Sequence, residues 1–439
     1  MLSFTCSSLR KRCSMPKKKY LKRIYDGLLS WRLKTKGAVL VEGAKWCGKT
    51  STAEQVSNSV LYMQDPSTRS QNLRLAEIAP QQLLQGSTPR LIDEWQEAPQ
   101  LWDAVRFEVD QRDEFGQFIL TGSSVPPNIS EIRHTGTGRI ARMKMRPMSL
   151  MESLDSTAEV SLKALFDGED LPVCPCPDSL EEIAFLICRG GWPRAATLQG
   201  RAALQQALDY VDAVTELDIS RVDGIKRSPK VAQELLRSYA RMSASQGSLA
   251  SMRADLNEAG TAIGESAFLE YVEALRKLFV IEDLNSWSPN LRSKTAVRTK
   301  PTRHFTDPSI AAAALGATPS ALMSDLNTMG LIFETLCIRD LRVYADSLDG
   351  EVLHYRDKRD RECDAVIVLR DGRYGLVEIK LGGDKLIDEG AESLKAVAAA
   401  LDTSKMPEPS FLMVLTAVGE FSYPRKDGVL VVPVRALGV

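Results

Sequence analysis

An α/β fold in several units is what this sequence predicts, and three observations predict it. A short β-run, Ala38 to Val41, leads through a glycine-rich turn into a helical pattern. Helical periodicity then dominates from Leu180 to Ala250. The last stretch orders its elements as helix, three strands, helix, strand. The 439 residues leave room for about two to four domains. The expected division is a basic tail (1–20), a first α/β domain (21–155), a linker or flap (156–200), a helical domain (201–318) and a second α/β domain (319–439).

Composition narrows the function classes. Hydrophobic residues make up 44% and charged residues 26%, as in ordinary globular proteins. The net charge of -1 means that nucleic acid would have to be met by local basic patches. No apolar run approaches the ~20 residues that span a bilayer, so no membrane partner is expected. Eight cysteines and three histidines include Cys174 and Cys176 in "CPC", but no second pair at zinc spacing. Reduced thiols and a cytoplasmic location are the expectation. The start, "MLSFTCSSLRKRCSMPKKKYLKR", lacks a signal-peptide core and reads as a solvated basic tail, with Met15 offering a second start.

The first unit carries the most specific signal, Gly43-x-x-x-x-Gly48-Lys49-Thr50 between a strand and a helix. Glycines let the backbone curl so that its N–H groups face phosphate oxygens, and the helix N-terminus adds positive potential. Lys49 is suited to the β/γ-phosphates and the Thr50 hydroxyl to Mg²⁺. Ala44, Lys45, Trp46 and Cys47 fill the turn, where backbone does the cradling, and Ser51 follows on the helix. In "PRLIDEWQEAP" a strand ends in Asp93, suited to hold Mg²⁺, and Glu94, suited to polarise the attacking water. "GQFILTGSS" ends in Thr121, Ser123 and Ser124, and Thr121 is a candidate for sensing phosphate or placing water. Among Arg139, Arg142 and Arg146, the first is favoured as a charge-stabilising finger, from this subunit or a neighbour. An exposed strand face is the competing reading.

Taken in order, "VEGAKWCGKT", "LIDEWQEAPQLWDAVRFEVD", "FILTGSS" and "GRIARMKMRPMSLMES" resemble a family of prokaryotic AAA+-type P-loop ATPases. Its members join the ATPase to a C-terminal domain of unknown function with a nuclease-like core. "GGWPRA" (Gly190 to Ala195) and "RHFTDPSIAAAALGA" resemble later motifs of that family, and Lys45 stands where the family usually has arginine. The resemblance implies ATP with Mg²⁺ as the ligands. No guanine-reading Asn-Lys-x-Asp motif is present.

The middle segment reads as helix-turn-helix followed by a β-like wing, a winged-helix pattern that invites DNA contact. Glu265, Glu270 and Glu273 on the candidate recognition helix would repel phosphates, with Arg276 and Lys277 only at its end. The wing, with Arg292, Lys294, Arg298, Lys300 and Arg303, is the more basic part. A purely structural helical module is the competing reading.

In "ECDAVIVLRDGRYGLVEIKLG" side chains two apart share a strand face, so Glu378 and Lys380 point together. Asp364 on the adjoining strand reaches the same face. Two carboxylates can bind a second divalent cation, and the ammonium can steady an attacking water or developing charge. Glu334, at helical spacing with Leu331, Ile338 and Leu341, is a candidate additional acid. This order of elements and these residues resemble the PD-(D/E)xK nuclease core, a restriction-endonuclease-like fold, although no proline precedes Asp364. A simple strand ion pair competes with that reading. The sequence therefore points to a Mg²⁺-dependent ATPase coupled to a nuclease-like domain that acts on DNA or stays silent. The alternative is a nucleotide-controlled switch that recruits DNA or a protein partner. A small-molecule kinase is weaker, since no acceptor-site motif stands out.

Overall fold

The computed structural model describes residues 20–123, 135–289 and 299–439. The first region comprises α1 (Ile24–Leu33), β1 (Ala38–Glu42), α2 (Lys49–Glu54), β2 (Ser59–Tyr62), α3 (Arg69–Ile78), α4 (Pro80–Leu83), β3 (Arg90–Asp93), α5 (Leu101–Arg112), β4 (Phe118–Gly122) and β5 (Ile140–Lys144). Its strands form one parallel sheet in the order β2-β3-β4-β1-β5. Alternation along β1 explains why both faces are covered. Val39 and Val41 pack in one cluster with Tyr25, Leu29 and Leu33 of α1. Ala38 and Leu40 pack in the other with Trp102, Val105 and Val109 of α5.

Next come β6 (Val160–Ser161), α6 (Leu162–Phe166), α7 (Leu180–Arg189), α8 (Gly200–Ala213), α9 (Ile219–Arg221), α10 (Pro229–Arg241), α11 (Leu249–Glu258) and α12 (Glu265–Lys277). Residues 156–200 are not the loose linker expected from their prolines. Leu162, Leu165, Phe166, Ile183 and Ile187 are buried, and Ser179 with Glu182 caps α7 reciprocally. Beyond α12, bridges pair Ile281 with Phe305 and Leu284 with Thr302, both antiparallel. Arg292, Lys294 and Arg298 lie outside the described residues. Arg303 does not offer a free cation to a phosphate, because its guanidinium is buried against Asp283 at 2.5 Å. Glu265, Glu270 and Glu273 do face solvent.

The last region holds α13 (Pro308–Leu315), α14 (Pro319–Ser324), α15 (Leu326–Ser347), β7 (Gly350–Arg356), β8 (Glu362–Leu369), β9 (Tyr374–Lys380), α16 (Asp384–Ala398), β10 (Leu412–Thr416), β11 (Tyr423–Pro424), β12 (Leu430–Pro433) and β13 (Leu437–Gly438). Its mixed sheet runs β11-β12-β10-β9-β8-β7. Helix α15 is buried on almost every side from Ile332 to Ala345, as a helix must be when it crosses a core. Strand β13 leaves this sheet and pairs in parallel with β6, Leu437 opposite Val160. One apolar cluster consequently runs from Tyr25 to Leu437. Among the described residues no helix is long and apolar enough to cross a membrane.

Candidate nucleotide site and C-terminal acidic cluster

All five strands of the first sheet run parallel, so the loops after β1, β3 and β4 meet at one edge. Gly43 leaves β1 with φ of +153°, and a Cβ there would lie 2.0 Å from the Met145 carbonyl oxygen. Gly48, with φ of +102°, forms the N-cap of α2. Only glycine meets both demands without strain. Lys49 is almost completely buried, and its ammonium donates to the carbonyls of Gly43 (3.0 Å) and Ala44 (2.9 Å). Thr50 Oγ1 and Thr121 Oγ1 both donate to Asp93 Oδ1, at 2.7 and 2.6 Å. Glu94 follows in a left-handed conformation, and its Oε2 accepts from Gln96 Nε2 and, at 3.2 Å, from Ser123 Oγ. These contacts bring Lys49, Thr50, Asp93, Glu94 and Thr121 together at one edge. A threonine hydroxyl beside a carboxylate, next to a lysine, is a donor set that suits a magnesium-bound triphosphate.

Arg139 is not with them. Its carbonyl accepts from the Ala38 N–H at the opening of β1, and its guanidinium pairs with Asp110 at 2.7 Å. At ~3.3 Å per strand residue it stands at the opposite end of the sheet from the phosphate loop, so it cannot serve this chain's own nucleotide. Parallel register, which no local motif reveals, decides this. Ser51 follows Thr50 on α2, and Cys47 is buried with its thiol directed at the Met145 carbonyl. Trp46 is half exposed, with its ring centroid 5.7 Å from that of Tyr210 of α8 in an edge-to-face arrangement. Lys45 pairs with Asp218, on the π-turn between α8 and α9, at 3.0 Å.

Arg23, at the end of the basic stretch that reads as a solvated tail, is buried. It donates to the Cys47 carbonyl at 2.7 Å and the Arg146 carbonyl at 2.8 Å, and it pairs with Glu152 at 3.0 Å. It therefore braces the phosphate loop from behind. Nothing in the local sequence separates it from its basic neighbours. Arg146 is likewise structural, bonded to Glu282 and Asp346, and Arg142 pairs loosely with Glu42.

The second cluster lies on β8 and β9, which pair antiparallel with Ala365 opposite Val377. That register puts Asp364 beside Glu378, as strand periodicity predicts. Lys380 Nζ lies 2.7 Å from Glu378 Oε2 and 3.6 Å from Asp364 Oδ2. Asp364 Oδ2 also accepts from the Ile379 N–H, and Glu378 Oε1 from Ser393 of α16. Burial, then the Asp364 charge, pushes Glu378 up to about 8, with Lys380 opposing. Glu334 of α15 is raised well above its ordinary range by burial and then by Asp364. A pocket of about 440 Å³ opens over Asp360, Glu362, Asp364, Glu378, Lys380 and Ser393. Among the described residues no group of three or more His, Cys, Asp or Glu side chains is already arranged to hold a metal ion. Two carboxylates are nevertheless enough for a magnesium ion that keeps most of its waters.

Residues 35–154 match the family model described as an AAA domain. Residues 180–321 and 329–437 match two domains of unknown function, DUF8612 and DUF4143. No curated protein matches the chain. Among solved structures, a Walker-type ATPase of Pyrococcus abyssi is 15% identical, with 68% of this chain and 97% of that one covered at a TM-score of 0.41. The Hef helicase domain of Pyrococcus furiosus is 11% identical over 91% of this chain and 90% of that one, at a TM-score of 0.21. Both scores are too low to bear on the fold. The family match and the strand–loop–helix geometry agree on a P-loop, ATPase-like domain over residues 35–154.

Proposed function

We propose that the chain hydrolyses ATP with Mg²⁺ and uses the cycle to govern the cation-binding acidic cluster of its C-terminal α/β region. The observation that carries the ATPase reading is the shared Asp93 oxygen, held by Thr50 and Thr121 beside Lys49. Amides of residues 43–49 would cradle the phosphates. Lys49, resting on loop carbonyls, is poised to turn to the phosphate oxygens. Thr50 and Asp93 would hold the magnesium ion, which when bound supplies charge neutralisation at the terminal phosphates. Glu94, fixed by Gln96 and Ser123, would accept a proton from the attacking water, and Thr121 keeps Asp93 oriented.

At the C-terminal cluster, the pairing of Asp364 with Glu378 and Lys380 supports Mg²⁺- or Mn²⁺-dependent phosphodiester hydrolysis on DNA. One observation favours a second reading, a nucleotide-controlled binding switch with a silent nuclease-like region. Lys380 already lies between the two carboxylates, where a cation would compete with it. The test measures ATP turnover and DNA cleavage together. Glu94→Gln should cut turnover at least about 100-fold while ATP still binds, and Lys49→Ala should weaken binding as well. Unchanged turnover in both variants would remove the ATPase assignment. Cleavage that vanishes in Asp364→Ala supports the nuclease reading, and no cleavage by the unaltered protein favours the switch.

A further inference from the structure

His304 lies on the chain between α12 and α13, distant in sequence from the acidic cluster, and it is completely buried. Its Nδ1 is 3.0 Å from Thr335 Oγ1, which fixes the ring against α15. Among the described residues its Nε2 has no hydrogen-bond partner, and it lies 3.7 Å from Glu334 Oε1, the carboxyl on the preceding residue of the same helix. A buried imidazole nitrogen left without a partner is costly, and such atoms in folded proteins generally serve a purpose. Here the orphan atom faces Glu334, on the helix that packs against β8 and β9, the strands carrying Asp364 and Glu378. At 3.7 Å the contact is too long for a hydrogen bond, so the pair has room to tighten.

We propose that His304 is the positioning residue of a divalent-cation site at this cluster, holding the Glu334 carboxyl toward Asp364 and Glu378. Asp364 and Glu378 are the two carboxylates that would hold the ion. Glu334 would add a third carboxyl to the site, in keeping with the preference of Mg²⁺ and its mimics for oxygen ligands. His304 touches the ion nowhere and acts through Glu334, as outer partners of metal ligands commonly do. The site is therefore completed by a segment outside the strand pair that carries the recognisable motif. Thr335, by bonding the far ring nitrogen, determines which way the imidazole is turned.

This inference rests on the reading of Asp364 and Glu378 as cation ligands, and the experiment separates the two. Binding of Mn²⁺ to the full-length protein without nucleotide is followed by the loss of the free-ion electron paramagnetic resonance signal, with thermal melting as a check of folding. The unaltered protein should bind Mn²⁺, and Asp364→Asn should abolish it. His304→Phe, which keeps the volume and removes the nitrogens, should weaken binding about 10-fold or more. His304→Gln, which returns a polar atom near the Nε2 position, should recover most of that loss. Thr335→Val, nearly isosteric, should weaken binding by several-fold and covers the case in which His304→Phe does not fold. Wild-type affinity in a folded His304→Phe or Thr335→Val protein, with Asp364→Asn still inactive in binding, overturns the role of His304 alone. Absence of Mn²⁺ binding by the unaltered protein overturns the cation site and the inference with it.

Discussion

Glu378 has an environment that resists its charge, and this has a measurable consequence. Burial and the neighbouring Asp364 carry its pKa from 4.5 up to about 8, although Lys380 partly compensates. Below pH 4.5 the folded and unfolded chains both keep the proton; between 4.5 and 8 mainly the folded chain does. Protons are therefore released on unfolding in that window, and stability must fall as the pH rises through it. In metal-free buffer the melting temperature should drop from pH 5 to pH 9 more steeply for the unaltered protein than for Glu378→Gln. Parallel profiles for the two proteins would mean that Glu378 is ionised at ordinary cost. The phosphate loop shows the same economy of space. Gly43 passes so close to the Met145 carbonyl that no side chain fits, and Arg23 closes the loop from behind.

Among the elements, β6 and β13 form a two-stranded sheet that joins residues far apart in the chain, Val160 to Leu437. Ser156 Oγ bonds the carbonyls of Arg435 and Leu437, and Arg435 donates to the Asp155 carbonyl and pairs with Asp178. Removal of residues 435–439 should therefore lower the melting temperature by several degrees and reduce ATP turnover, even though the deleted residues are remote from Lys49. A truncated protein with unaltered melting and turnover would make this pairing incidental. The sequence made the strand–loop–helix of the nucleotide site legible because its glycines, lysine and threonine act locally. It also made the Asp364–Glu378–Lys380 face legible, since strand side chains alternate. The place of Arg139 is not legible locally, because the end of the sheet at which a residue sits depends on the directions of the neighbouring strands. Residues 156–179 read as a linker because Pro172, Pro175 and Pro177 outweigh the short apolar run of Leu162, Leu165 and Phe166. His304 and Arg23 could not be found at all, since their partners are about 30 and 130 residues away.

Across the whole molecule, α15 ties the two candidate sites together. Near its C-terminal end Asp346 pairs with Arg146 at 2.6 Å and accepts from Tyr25, and Asp340 accepts from the Leu150 N–H. Arg339 pairs with Asp307, whose Oδ2 also accepts from the Gly191 N–H. Glu334 lies twelve residues before Asp346 on the same helix, about 18 Å away at 1.5 Å per residue. A helix so anchored should transmit strain, so a non-hydrolysable ATP analogue should change Mn²⁺ affinity at the C-terminal cluster by about 5–150-fold. Arg146→Met should reduce that coupling. Identical titrations with and without the analogue would leave α15 a passive strut. The pairing of β13 with β6 also bears on how the polypeptide is born. Regions emerging early from a ribosome ordinarily begin folding at once, but the edge of Val160 and Ser161 must wait bare until residue 438 has been synthesised. A message cut short would thus yield a nucleotide-binding half with an unguarded strand, a ready target for proteases and for other chains.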